Sequence, residues 1–151
     1  MRILLALSLL TIACSDPEPV KVVSSTLTGS VDGDELSAVY GVINTLDSGT
    51  VSIAVGTGKL DCSSQTNSNP PGSGIYMNLQ LPELVTGTPS EHFFQFFVIA
   101  GGDLSSRGSS GGSVNVDAIT PETVSLTVDY DELLDDASYR AMGSVEVVLC
   151  D

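Results

Sequence analysis

The 151-residue chain contains no tryptophan, one histidine, three cysteines and five basic residues. Each scarcity narrows what the chain can do. Without tryptophan there is no indole platform to line a sugar subsite, which argues against glycoside hydrolysis by its paired carboxylates. A single histidine, His92, leaves little room for a histidine-based metal site or a histidine-dependent relay. No two cysteines stand at CxxC spacing, and His92 is remote in sequence from Cys62 and Cys150, so a structural zinc site is not expected. Five Lys and Arg stand against 19 Asp and Glu, a formal net charge of −14. A chain this acidic is repelled by nucleic acid and by anionic headgroups, and no nucleic-acid partner is expected. No cofactor motif is found either.

Long apolar runs are also missing. Ile3 to Ile12 is apolar apart from Ser8 and Thr11, about half the roughly 20 residues needed to cross a bilayer as a helix. It follows Arg2, the only early charge, and ends at the small residue Ala13. A positive start, a short apolar stretch and a small residue at the end describe a secretory signal that is removed.

Leu10-Thr11-Ile12-Ala13-Cys14 resembles the lipobox of bacterial lipoproteins, with Thr11 standing where the family usually has leucine. The resemblance implies cleavage before Cys14 and acylation of its sulfur, so that the protein would meet the lipid bilayer through Cys14. Ser15 follows the cysteine, and the family's sorting pattern then implies the outer membrane if the cell is Gram-negative. The expected organisation is a signal peptide over residues 1–13, a lipidated cysteine and Pro/Glu tether over 14–21, and a domain over 22–151. The tether, Ser15-Asp16-Pro17-Glu18-Pro19, is extended and short, reaching about 15–20 Å.

Acylation of Cys14 would also explain the odd cysteine, since it leaves Cys62 and Cys150 as a pair. Outside the cytoplasm such a pair is normally oxidised; the alternative is two separate buried thiols. A disulfide here would close a loop of about 89 residues, worth roughly 4.6 kcal/mol less any native strain.

From Val22 onward the dominant period is two. Val124, Leu126, Val128 and Tyr130 alternate with polar residues, as do Val51, Ile53 and Val55, the set Ile75, Met77, Leu79 and Leu81, the pair Val114 and Val116, and the set Val145, Val147 and Leu149. Phe93 to Ile99 is apolar on both sides except at Gln95, which marks a central strand covered on two faces. Asp32-Gly33 is a strong hairpin turn. Asn69-Pro70-Pro71-Gly72 and the Gly/Ser-rich stretch Gly101 to Ser113 read as loops. The predicted fold is all-β, an antiparallel β-sandwich of about eight strands with a small barrel as the second choice, and one short helical turn at Asp131 to Ala137. The layout Gly29 to Gly33, Cys62, and Val145 to Cys150 resembles that of small uncharacterised β-sandwich lipoproteins of the bacterial envelope, which reinforces the Cys62–Cys150 pairing.

Chemical motifs are few. Gly108-Ser109-Ser110-Gly111-Gly112 matches G-x-S-x-G, but a nucleophile elbow needs a strand-to-helix turn and a histidine after the serine, whereas His92 precedes Ser110. Gly56-Thr57-Gly58-Lys59 lacks the earlier glycine of a phosphate loop and reads as a strand-end turn. Glu91 and His92, as neighbours in a strand, would point to opposite faces. Acidic clusters remain: Asp32, Asp34 and Glu35 at one hairpin, and Asp129, Asp131, Glu132, Asp135 and Asp136 further on. Calcium favours several oxygen ligands at flexible sites, so Asp32, Asp34, Asp129 and Asp131 are its candidates; a solvated acidic surface explains them as well. The functional expectation is a membrane-anchored, non-catalytic structural or binding module of the bacterial envelope with an unknown envelope protein partner. The second expectation is a calcium-assisted adhesion or ligand-binding domain using the acidic loops.

Overall fold

The structure, a computed structural model, describes residues 17–64 and 71–150. The signal segment, Cys14 and Ser15, and Asn69 and Pro70 of the proline loop lie outside these residues. Eleven strands form among the described residues: β1 (Ser24–Ser25), β2 (Thr28–Val31), β3 (Asp34–Ser37), β4 (Tyr40–Thr45), β5 (Val51–Gly56), β6 (Gly74–Leu81), β7 (Phe93–Ala100), β8 (Asp103–Ser109), β9 (Ser113–Ile119), β10 (Thr123–Leu134) and β11 (Ala137–Leu149). The all-β expectation stands, with more strands than foreseen.

All eleven belong to one curled sheet, ordered β3-β2-β11-β4-β5-β6-β7-β8, with β9 and β10 on the other side of β11 and β1 also on β11. The sheet is mixed, since β11 runs parallel to β4 through Val148 opposite Val42 and Leu149 opposite Ile43. An antiparallel reading follows from hairpins, and it misses this ladder. These two strands are far apart in sequence, so no tight turn dictates their relative direction.

β11 organises the molecule. One flank pairs with β10 over twelve residues, from Thr123 opposite Val148 to Leu134 opposite Ala137. The other flank takes β2 at Tyr139–Met142, β1 at Val145–Glu146 and β4 at Val148–Leu149. Gly143 lies where the partner changes. Its φ is +124°, and a Cβ there would meet the Thr26 carbonyl oxygen at 2.5 Å, so only glycine suits the crossing.

Curling brings the inner faces of the two halves onto one core. Ile53, Met77, Leu79, Phe94 and Phe96 from one half pack with Leu36, Val116, Leu126, Val128, Tyr130 and Val147 from the other. Aromatic contacts tie the halves together: Tyr130 lies 4.9 Å from both Phe94 and Phe96, and Phe96 lies 5.6 Å from Tyr139. The period-two faces identified in the sequence are buried here, with Ile75 and Leu149 half-buried at the margin of the core.

A second, smaller core covers the outer face of β4–β7. Val42, Ala54, Tyr76, Phe97 and Ile99 pack there with Leu60. Tyr76 and Asn78, which alternation assigns to the solvent side, are fully buried. The reason is non-local: the segment after β5 folds over this face. A Cys62–Cys150 disulfide joins that segment to the residue after β11, with Cα atoms 5.5 Å apart and a sequence separation of 88. β7 is accordingly buried on two faces, as its composition foretold, but it is not central: only β8 lies between it and the sheet edge, and its outer cover comes from the segment after β5.

Two local expectations are corrected. Asp131 to Ala137 contains no helical turn. β10 continues to Leu134, and a two-residue turn at Asp135 (φ +52°) and Asp136 (φ +67°) leads into β11. The long ladder with β11 outweighs the weak local preference of an acid-rich segment. Gly101 to Ser113 is not one loop either. Gly101 (φ +61°) and Gly102 (φ +91°) form a tight turn, after which Asp103–Ser109 pairs with β7. Backbone hydrogen bonds do not depend on side chains, so a ready partner strand overrides the low propensity of serine and glycine.

Candidate functional site

The hairpin at Asp32-Gly33 forms as expected, with Asp32 at φ +50°, Gly33 at φ +92°, and Val31 opposite Asp34. Its tip lies against the start of β11, where the Asp32 amide donates to the Ser138 carbonyl at 2.8 Å. The β2–β3 and β10–β11 turns are therefore neighbours, and the two acidic clusters meet at one end of the molecule.

That end is open. A cavity of about 380 Å³ lies between β8 and the two acidic turns. Phe96, Val98, Leu134 and Tyr139 form its apolar surface, and Asp32, Asp34, Asp135 and Arg107 form its polar rim. Phe96 and Val98 stand opposite Arg107 and Ser105 in the β7–β8 register, which puts those β8 side chains on the inner face. Arg107 Nε reaches Asp135 Oδ2 at 2.8 Å, an ion pair across the seam between the two halves.

Of the four calcium candidates, Asp32 and Asp34 line this mouth while Asp129 and Asp131 do not. Asp129 and Asp131 are exposed, alternating in β10 with inward Val128 and Tyr130, and Asp131 faces Arg140 across the ladder at 3.5 Å. Among the described residues no group of three or more His, Cys, Asp or Glu is arranged to hold a metal ion.

Further along the seam a polar cluster joins β8 to β10. Ser109 Oγ donates to Glu132 Oε2 at 2.8 Å, lies 2.9 Å from the Tyr130 hydroxyl, and accepts from the Gly111 amide at 3.0 Å. Burial pushes the Tyr130 phenol above its ordinary pKa; the Glu132 carboxylate adds to the shift and the Ser109 hydrogen bond opposes it. The cluster ties the Gly/Ser segment to β10.

A shallow depression of about 460 Å³ next to this cluster gathers Glu91, His92 and Ser110 with Thr50, Gln80 and Pro82. His92 directly precedes β7, packs edge-on against Phe94 at 5.4 Å, and its Nε2 lies 3.3 Å from the Gly111 carbonyl oxygen. Among the described residues no hydrogen bond links the His92 ring to Ser109 or Ser110. The serine of the G-x-S-x-G match is therefore unconnected to the histidine, while its neighbour Ser109 is engaged with a carboxylate. The Thr57 amide and hydroxyl both meet the Ile75 carbonyl, and the Ile75 amide donates back to the Thr57 hydroxyl. Gly56 to Lys59 thus forms a strand-end turn bound to β6.

Arg107 was not singled out from the sequence, and Ser109 and Glu132 were named there only as members of the G-x-S-x-G match and the acidic cluster, without the roles they take here. Extending the alternation of β10 two residues past Tyr130 points Glu132 inward, and an inward carboxylate requires a partner. Arg107 had a compositional signal, since it is one of only five basic residues.

No protein-family model, curated protein or solved structure matches this chain.

Proposed function

We propose that the chain is a lipid-anchored module of the bacterial cell envelope, non-catalytic, with a structural or binding role. The observation that carries the reading is the Cys62–Cys150 disulfide. It accounts for two of the three cysteines and leaves Cys14, preceded by Ala13 at the end of the short apolar segment, for acylation. Such a disulfide belongs in an oxidising compartment. In this reading the curled sheet is a β-sandwich, with β2, β3 and β9–β11 facing β4–β8.

The position of the tether also supports it. The Val20 amide donates to the Leu60 carbonyl at 2.7 Å, and the Gly41 amide donates to the Val20 carbonyl at 3.1 Å. The chain thus joins the domain beside the disulfide-linked segment and the C-terminal end of β11. The acidic mouth lies near Ser138, at the other end of that strand and roughly 30 Å away along it. An anchor at Cys14 would hold one pole near the bilayer and turn the mouth outward.

Metabolic labelling with a fatty-acid analogue tests the proposal. The wild-type protein should take up label and sediment with membranes, and Cys14→Ala should do neither. A wild-type protein that remains unlabelled after enrichment overturns the anchor.

A further inference from the structure

β8 is the longest strand with an unpaired edge among the described residues. Over its seven residues it pairs with β7 alone. β3 is shorter at four residues, and the outer side of β9 is occupied at Val116 by reciprocal hydrogen bonds with Gly87. An unpaired edge presents a row of backbone donors and acceptors to any extended chain, and proteins that avoid pairing guard such edges with proline, charged side chains, inward-pointing charges or bulges. β8 reads Asp-Leu-Ser-Ser-Arg-Gly-Ser, with no proline or lysine and small side chains at most positions; its one inward-pointing charge, Arg107, is already engaged by Asp135.

The edge borders the cavity already described. An extended chain lying along β8 would direct alternate side chains over Phe96, Val98, Leu134 and Tyr139. The far wall carries Asp32, Asp34 and Asp135 against one cation of the protein, Arg107. The Arg107–Asp135 pair that spans the gap has side chains 52% and 76% exposed, and an ion pair so open to solvent contributes little. It is therefore readily exchanged for an incoming cation. The chain's net charge of −14 adds a field that draws basic partners towards it.

We infer that the mouth receives an extended basic segment of a partner protein, which adds as a strand to β8 with apolar side chains on the aromatic floor and a Lys or Arg among Asp32, Asp34 and Asp135. Backbone pairing supplies affinity in this mode of recognition, and alternate side-chain pockets supply selectivity. The inference rests on the binding role proposed above and names its partner class.

The test uses the full-length protein in detergent and a fluorescent seven-residue peptide of alternating valine and lysine, read by anisotropy. The peptide should bind, with affinity falling as salt is raised. The same peptide with glutamate for lysine should not bind, nor should the lysine peptide with every backbone amide N-methylated. The triple variant Asp32→Asn, Asp34→Asn, Asp135→Asn should bind roughly ten-fold more weakly. It should still fold, because asparagine tolerates the positive φ of Asp32 and Asp135. Asp117→Asn, on β9 away from the mouth, should bind like the wild type. Equal binding of the N-methylated peptide would reveal a loose attraction for cations and overturn strand addition. An unaffected triple variant, or calcium binding at the mouth without peptide binding, overturns the proposal as well. These outcomes are independent of fatty-acid labelling at Cys14, so the partner class can fail while the anchor stands.

Discussion

Tyr76 shows how one side chain carries non-local information. It is fully buried in the smaller core and donates from its hydroxyl to the Gly72 carbonyl at 2.6 Å. Burial pushes its phenol up to about 12. The folded state thus holds this proton more tightly than the unfolded state, whose phenol titrates at its ordinary value of 10.0. The resulting stability is fully present below pH 10 and is lost as pH rises towards about 12. Tyr76→Phe should cost about 1 kcal/mol at neutral pH through the lost hydrogen bond. The gap between wild type and variant should shrink between pH 10 and 12, as measured by denaturant titration across that range. A constant gap would show that the phenol's burial does not drive the alkaline loss. Asn78, buried beside it, donates to Ser52 Oγ at 2.7 Å, while its Oδ1 has no partner among the described residues. The outer face of β6 is a buried polar–apolar mixture rather than a solvated one.

Among the elements, β11 does the most. It pairs with four strands, and its change of partner depends on Gly143. Gly143→Ala brings a methyl group against the Thr26 carbonyl and forces a side chain into a positive-φ conformation. We expect a destabilisation of about 1–3 kcal/mol, seen as a lower midpoint in thermal or urea unfolding. A midpoint within error of the wild type would mean that β1 and β11 can shift apart at no cost. The β10–β11 hairpin also explains why the helical reading of Asp131 to Ala137 failed. Within that window nothing but an acidic cap and a leucine pair is visible, whereas the twelve-residue ladder is set by the strand on its far side.

For the whole molecule the Cys62–Cys150 link is the dominant constraint. It fastens the segment that covers the smaller core to Cys150, the residue directly after β11. Replacing both cysteines by alanine, or reducing the bond, should lower stability by up to about 4.6 kcal/mol on the chain-entropy estimate. Comparing guanidinium unfolding of oxidised and reduced protein measures it. An identical midpoint would mean that Leu60 and its neighbours hold the cover alone. The curl of the sheet has a functional side too. It closes the core along most of its length and leaves the seam at β8 joined, among the described residues, by side chains such as Arg107–Asp135 and Ser109–Glu132, which is where the mouth opens.

The amino-acid sequence by itself determined the all-β class, the inward faces of β5, β6, β9, β10 and β11, the Asp-Gly hairpin and the two-sided burial of Phe93 to Ile99. These depend on period-two alternation and on turn chemistry, both of which act over a few residues. The apolar segment before Cys14 and the odd cysteine count were legible for the same reason. Tertiary structure alone decided the parallel β4–β11 ladder, the strand formed by Asp103–Ser109, the burial of Tyr76 and Asn78, and the meeting of Asp32, Asp34 and Asp135 around Arg107. Each depends on which distant backbone or side chain arrives to complete a hydrogen bond or exclude water, and that is settled by the curl of the sheet rather than by any local run of residues.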